Sequence, residues 1–147
     1  MKKSILRITG LLALALVAAT QITRAQEPIA VTIPFAFTAG DKMLPAGEYR
    51  VEKAAQGSVS LLIRRTDGKE SMFVSSFAAS SNVPQTQSKL IFHRYGNQYY
   101  LSQVWVAGSS QGRELRESAK EKEQALSAQN AAPEKVIVIA RLYSLRP

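Results

Sequence analysis

His93 is the only histidine in the chain of 147 residues. It is also the only side chain here that titrates near neutrality without help from its surroundings. It sits in the strongest local signal of the sequence, Lys89-Leu-Ile-Phe-His-Arg-Tyr95 followed by Gly96-Asn97 and Gln98-Tyr-Tyr-Leu-Ser-Gln-Val-Trp-Val106. Two strand-like runs around Gly-Asn suit a two-residue hairpin with glycine at a positive φ. Pairing Tyr95 with Gln98 puts His93 opposite Tyr100, Ile91 opposite Ser102 and Lys89 opposite Val104. One face then carries His93, Tyr95, Tyr100 and Ser102, the composition of a shallow site for sugar rings or an apolar metabolite. The other face carries Leu90, Phe92, Tyr99, Leu101 and Trp105 and is the better core face. The first face has a plainer reading too, as cross-strand pairs worth about 0.2–1 kcal/mol each. That reading weighs more, because a lone histidine more often hydrogen-bonds locally than acts.

Other chemistry is hard to assemble. Serines are plentiful, but there is no Gly-x-Ser-x-Gly elbow for nucleophilic attack. Glu48 and Glu52 alternate with Tyr49 and Val51, which points them to solvent rather than to a cleft with the paired carboxylates of a glycosidase. Asp41 and Asp67 fall in turns, where aspartate is expected. No phosphate loop, dinucleotide fingerprint or calcium loop occurs. The absence of cysteine excludes disulfides, thiol catalysis and Fe–S ligation. One histidine excludes a His-rich metal centre within a single chain. No catalytic residue, metal or cofactor is assigned on this basis. A hydrolase using His93 stays as an alternative reading.

Around the hairpin, residues 29–107 have a period of two. Val31, Ile33, Phe35 and Phe37 alternate with small residues, and Pro34 marks this strand as an edge or a bulge. Leu44-Pro45-Ala46-Gly47 reads as a tight turn before a strand with Tyr49 and Val51. Val59, Leu61 and Ile63 form a third strand. Asp67-Gly68 signals a hairpin into a fourth, about 70–78, with Phe73 and Phe77 on one side and Met72 and Val74 on the other. Residues 113–123 hold eight charged residues of eleven, four of each sign. Good helix formers dominate there, so a solvated helix is expected over 112–129, lying on the body by a thin stripe of Leu115, Ala119 and Leu126. Its acids read as surface solvation. Val136-Ile-Val-Ile-Ala140 reads as a last strand, about 135–142, apolar on both sides and therefore central in a sheet or inside a barrel wall. The expected fold is all-β with one helix in the C-terminal region, and about seven mostly antiparallel strands forming a small sandwich or partly closed barrel.

Residues 1–25 resemble a secretory signal peptide. Lys2, Lys3 and Arg7 precede an uncharged run over 8–23, and Thr23-Arg24-Ala25 offers a cleavage site. The run is shorter than the roughly 20 apolar residues of a bilayer span. A single exported domain, periplasmic or extracellular, is expected over 26–147. The formal charge of +8 includes four cations in the first 25 residues, where there is no acid, so the remainder carries +4. Those charges are scattered, without the clustered Lys/Arg and interleaved aromatics of a nucleic-acid groove. A small ligand, a glycan or an envelope component is the expected partner class.

Several segments together suggest kinship. They are Ile33-Pro34-Phe35-Ala36-Phe37, Leu44-Pro45-Ala46-Gly47-x-Tyr49-x-Val51, Lys89-Leu90-x-Phe92-x-x-Tyr95-Gly96, Trp105 and Gly112-Arg113-Glu114-Leu115. Over about 31–115 the chain resembles a group of small exported bacterial β-rich proteins with the layout PFxF…LPAGxYxV…KLxFxxYG…W…GREL. The resemblance implies an exported β-rich domain and supplies no catalytic residue. The expectation is therefore a non-enzymatic exported domain that binds something or supports the envelope. A β-barrel carrier of a small apolar or sugar-like ligand is the first alternative.

Overall fold

The computed structural model describes residues 28–143, so the leader expected over 1–25 lies outside the described residues. Within them the chain is mostly strand, with one helix. The strands are β1 (Ile29–Ile33), β2 (Phe37–Ala39), β3 (Lys42–Leu44), β4 (Gly47–Lys53), β5 (Ser60–Arg65), β6 (Ser71–Ser80), β7 (Lys89–Tyr95), β8 (Gln98–Trp105), β9 (Gln111–Leu115), β10 (Glu134–Ile139) and β11 (Arg141–Leu142). The helix, α1, spans Ala119–Ser127. Neighbours run in the order β10-β7-β8-β9-β6-β5-β4-β1-β11, with β2 attached to β3 and β8. The pairing is antiparallel throughout, except for one parallel bridge between Thr38 and Tyr100. The sheet is not closed.

Eleven strands stand where about seven are expected, and the difference has local causes. Pro34 cannot donate to a ladder, and it splits the first run. β1 pairs with β4, whereas β2, beyond the break, pairs with β3 and β8. β3, β9 and β11 are too short or too polar to announce themselves by periodicity. The helix expected over 112–129 begins only at Ala119, because Gln111–Leu115 is strand. There Gly112 and Leu115 are buried while Glu114 is exposed. The last strand is not central. β10 pairs only with β7, and it leaves Ile137 and Ile139 each 54% exposed.

Two strand runs serve two neighbours each. β6 pairs with β5 through Ser71–Ser75 and with β9 through Ser76–Ser80. Arg113 of β9 fastens this changeover: its Nε donates to Ser76 Oγ at 2.9 Å and its Nη2 to the Val59 carbonyl at 2.9 Å. Likewise β10 and β11 are separated only by Ala140, yet they pair with β7 and β1 at opposite ends of the strand order.

The core gathers side chains from both halves of the sheet. Ile29, Val31, Ile33, Tyr49, Val51, Leu61 and Ile63 meet Phe37, Leu90, Phe92, Leu101 and Val104. Phe37 and Phe92 meet edge to face at 5.5 Å, and Phe35 stacks on Tyr99 at 3.8 Å. The Leu-Pro-Ala-Gly turn is tied to the core by Tyr49, wholly buried, whose hydroxyl donates to the Pro45 carbonyl at 2.6 Å. Burial holds that phenol above its usual pKa.

Two changes test this packing. Tyr49→Phe keeps the ring and removes the bond to Pro45. It is expected to cost about 1 kcal/mol in chemical denaturation. Gly112 lies against the face of Trp105, where an added Cβ would stand 2.6 Å from Cε3. Gly112→Ala must push the ring aside, at an expected cost of about 1–3 kcal/mol. Because Trp105 is the only tryptophan, its fluorescence emission is expected to shift with the loss.

Candidate functional site

The β7–β8 hairpin turns through Gly96-Asn97, with Tyr95 paired to Gln98 and Gly96 at φ 59°. A positive φ at the first central residue alone is the signature of a type II′ turn. The register places His93 opposite Tyr100, as the turn requires. Phe92 still meets Leu101, and beyond that pair the register departs from the expected one. A bulge between Ile91 and Phe92 on the register leaves Ser102 unpaired, so that Ile91 meets Gln103 and Lys89 meets Trp105. One extra residue reverses the alternation. Val104 therefore joins the core in the place expected for Trp105, and Trp105 turns to the opposite face, over Gly112.

Tyr95, Tyr100 and Ser102 are all buried, and His93 is half-buried. Tyr95 and Tyr100 meet edge to face at 5.9 Å. α1 reaches this face from a distance of 28 residues in sequence. Glu121 Oε1 lies 2.7 Å from His93 Nδ1, and the Tyr95 hydroxyl makes a longer donation to the same oxygen at 3.5 Å. The helix is docked by this carboxylate. Glu121 is its one buried residue, whereas Ala119 is exposed and Leu126 is 67% exposed. The expected apolar stripe of Leu115, Ala119 and Leu126 does not exist, since Leu115 lies in β9 and the other two face outward. Ser118 caps the helix, its Oγ accepting from the Glu121 amide at 3.1 Å. The cap fixes the backbone that carries Glu121.

The acids of the charged run are thus not all solvation. A third group, Glu117, immediately precedes the cap, and one ligand atom from each of His93, Glu117 and Glu121 lies within 4.8 Å of the others. Among the described residues, neither carboxylate has a Lys or Arg within 4 Å. The surrounding phenols respond to this negative field. Burial first, then the charges of Glu121 and Glu117, push the Tyr95 hydroxyl up to about 12. Burial, then Glu121 and Glu123, raise Tyr100 as well. Both phenols therefore stay protonated as donors. A carboxylate on imidazole Nδ1 is also how the histidine of a hydrolytic triad is oriented. No serine hydroxyl among the described residues hydrogen-bonds to His93.

Glu117 also faces outward. A groove of about 560 Å3 runs between the Gly40–Lys42 turn, Met72–Ser75 of β6 and Arg116–Ala119. A second, of about 620 Å3, lies beside Phe77 and Glu114–Glu117. Phe73 is 67% and Phe77 48% exposed on the outer face of β6, and the Arg116 guanidinium carbon lies 5.0 Å from the Phe77 ring centroid. The sequence shows these rings on one strand face, but gives no sign that the 114–119 segment crosses beside them. No family model, curated protein or solved structure matches the chain.

Removing the docking carboxylate tests the site directly. Glu121→Ala leaves His93 and the buried Tyr95 hydroxyl without their acceptor. A stability loss of about 1–3 kcal/mol is expected, with faster amide exchange concentrated in residues 119–127.

Proposed function

We propose that this chain is an exported, non-enzymatic β-domain that binds a polysaccharide of the cell envelope on its outer surface, with its sheet wrapped as a partly closed barrel. The observation that carries the reading is the exposed pair Phe73 and Phe77 between two open grooves. Pyranose rings present flat C–H faces that stack on aromatic rings, and their hydroxyls need donors and acceptors at the rim. Arg116, Glu117 and Ser75 stand there. Exposed apolar rings rimmed by polar groups commonly mark binding surfaces. Export rests on the basic, then apolar, character of residues 1–25. The wrapped shape is supported by β6 and by the β10–β11 run, each of which joins strands that would otherwise be distant.

Surface binding is favoured over internal carriage. The apolar cavity among Ile29, Val51, Leu61 and Val104 measures about 20 Å3, room for about one water and far below a ligand pocket of roughly 300–1,000 Å3. Hydrolysis through His93 is a second reading, favoured by the Glu121 carboxylate at 2.7 Å. Among the described residues no serine hydroxyl bonds to His93 to act as the nucleophile.

The test is co-sedimentation with isolated peptidoglycan sacculi. The unaltered protein is expected to be retained, and the double variant Phe73→Ala/Phe77→Ala to lose most of that retention. Both rings are exposed, so its stability should stay within about 0.5 kcal/mol per site. Undiminished retention of the double variant, or none of the unaltered protein, overturns the reading.

A further inference from the structure

The chemistry of the α1–hairpin contact goes beyond docking a helix. We propose that His93, Glu117 and Glu121 form a binding site for a divalent transition-metal cation of the zinc class, which pins the start of α1 to the β7–β8 hairpin. The proposal shares Glu117 with the polysaccharide rim, but its readouts use metal alone and do not depend on polysaccharide binding.

Three observations carry it. First, the donors converge. His93 Nδ1 and one oxygen from each carboxylate lie within 4.8 Å of one another, although they come from a strand and from a helix start far apart in sequence. Second, the two acids share a single basic partner, His93, whose Nδ1 lies 2.7 Å from Glu121. Glu121 is 4% exposed, Glu117 lies beside it, and among the described residues no Lys or Arg reaches within 4 Å of either. A buried carboxylate needs a partner. Even a charged imidazole balances only one of two carboxylates, whereas a dication balances both. Third, two of the three donors are placed by the fold. Ser118 Oγ caps the turn that carries Glu121, and the cross-strand partner of His93 is the buried Tyr100. Fixed ligands bind metal with less loss of freedom.

The donor set selects the class of ion. One imidazole and two carboxylates suit zinc and its first-row neighbours, whereas magnesium and calcium prefer oxygen alone. Three protein ligands leave a fourth tetrahedral position for water. The Nδ1–Oε1 separation of 2.7 Å is a hydrogen bond. Ligands bound at about 2.0–2.1 Å in a tetrahedron stand roughly 3.3 Å apart. Binding therefore replaces the shared proton and opens the pair by about half an ångström, within the reach of a glutamate side chain. The Tyr95 hydroxyl, 3.5 Å from Glu121 Oε1, remains available to donate to that carboxylate.

The test uses chelator-stripped protein titrated with zinc chloride, followed by calorimetry and by NMR of the imidazole. The single histidine makes its ring signals unambiguous. One equivalent of zinc is expected to bind, to shift those signals in the pattern of Nδ1 ligation and to raise the melting temperature. Calcium should do none of these. His93→Gln should abolish binding. Because that change could also disturb the helix, Glu117→Gln provides the decisive variant. Glu117 is exposed, so the metal-free melting temperature should hold while zinc affinity falls about tenfold or more, the scale on which metal sites respond to loss of a supporting group. Absence of saturable zinc binding overturns the proposal. So does binding that leaves the imidazole signals unmoved, or an unchanged affinity in Glu117→Gln.

Discussion

A carboxylate removed from water must find a partner, and Glu121 finds its partner on the far side of the chain. That constraint organises the functional half of the molecule. The helix bearing it presents little apolar surface to the sheet, so it is placed by one polar contact rather than by a packed stripe. Such contacts are specific in position but fragile, because a buried charge that loses its partner costs far more than the pair contributes. The hairpin answers with a geometry it can hold: a two-residue turn that fixes register, an imidazole in the third position back from the turn, and a phenol beside it whose proton is retained. Beyond the β9 ladder with β6, residues 116–118 lead to the held helix start and line grooves beside Phe73 and Phe77.

The sheet supplies the frame. A cysteine-free domain depends on its core alone, and here the core is filled by residues from strands that share no direct pairing. Two continuous runs hold these strands together. β6 changes neighbours at Ser76, where the Arg113 guanidinium occupies the carbonyl and hydroxyl that the changeover exposes. The C-terminal run changes neighbours at Ala140, whose amide donates to the Ser88 carbonyl at 2.8 Å. Both changes occur within a single stretch of chain, so neither requires a long loop whose ordering would cost entropy.

Much of this frame is legible in the residues. Period-two alternation gives the β character, Gly96-Asn97 gives the turn, and the turn alone places His93 opposite Tyr100. The register fails two residues later, at Ser102, because a bulge is a backbone event with no side-chain signature of its own. The consequence is physical: Val104 and Trp105 exchange faces. The run from Gly112 to Leu115 looks helical because Arg, Glu and Leu are good helix formers, but pairing with β6 and β8 overrides a propensity worth only tenths of a kcal/mol per residue. Val136–Ile139 looks central because both faces are apolar, yet it lies at one end of the strand order. The site itself is half legible. The tyrosines and the histidine are visible as a hairpin face, whereas Glu121 is hidden among eight charged residues that all look solvated. Nothing local distinguishes the one acid that tertiary structure buries.

The most direct measurement of the account is the nuclear Overhauser spectrum of the imidazole, which arises from a single residue. Docking of the helix through its carboxylate predicts cross-peaks from the His93 ring protons to the Glu121 side chain and to the Tyr100 ring. An imidazole showing contacts only within its own hairpin, with no magnetisation passing to residues 117–121, would contradict it.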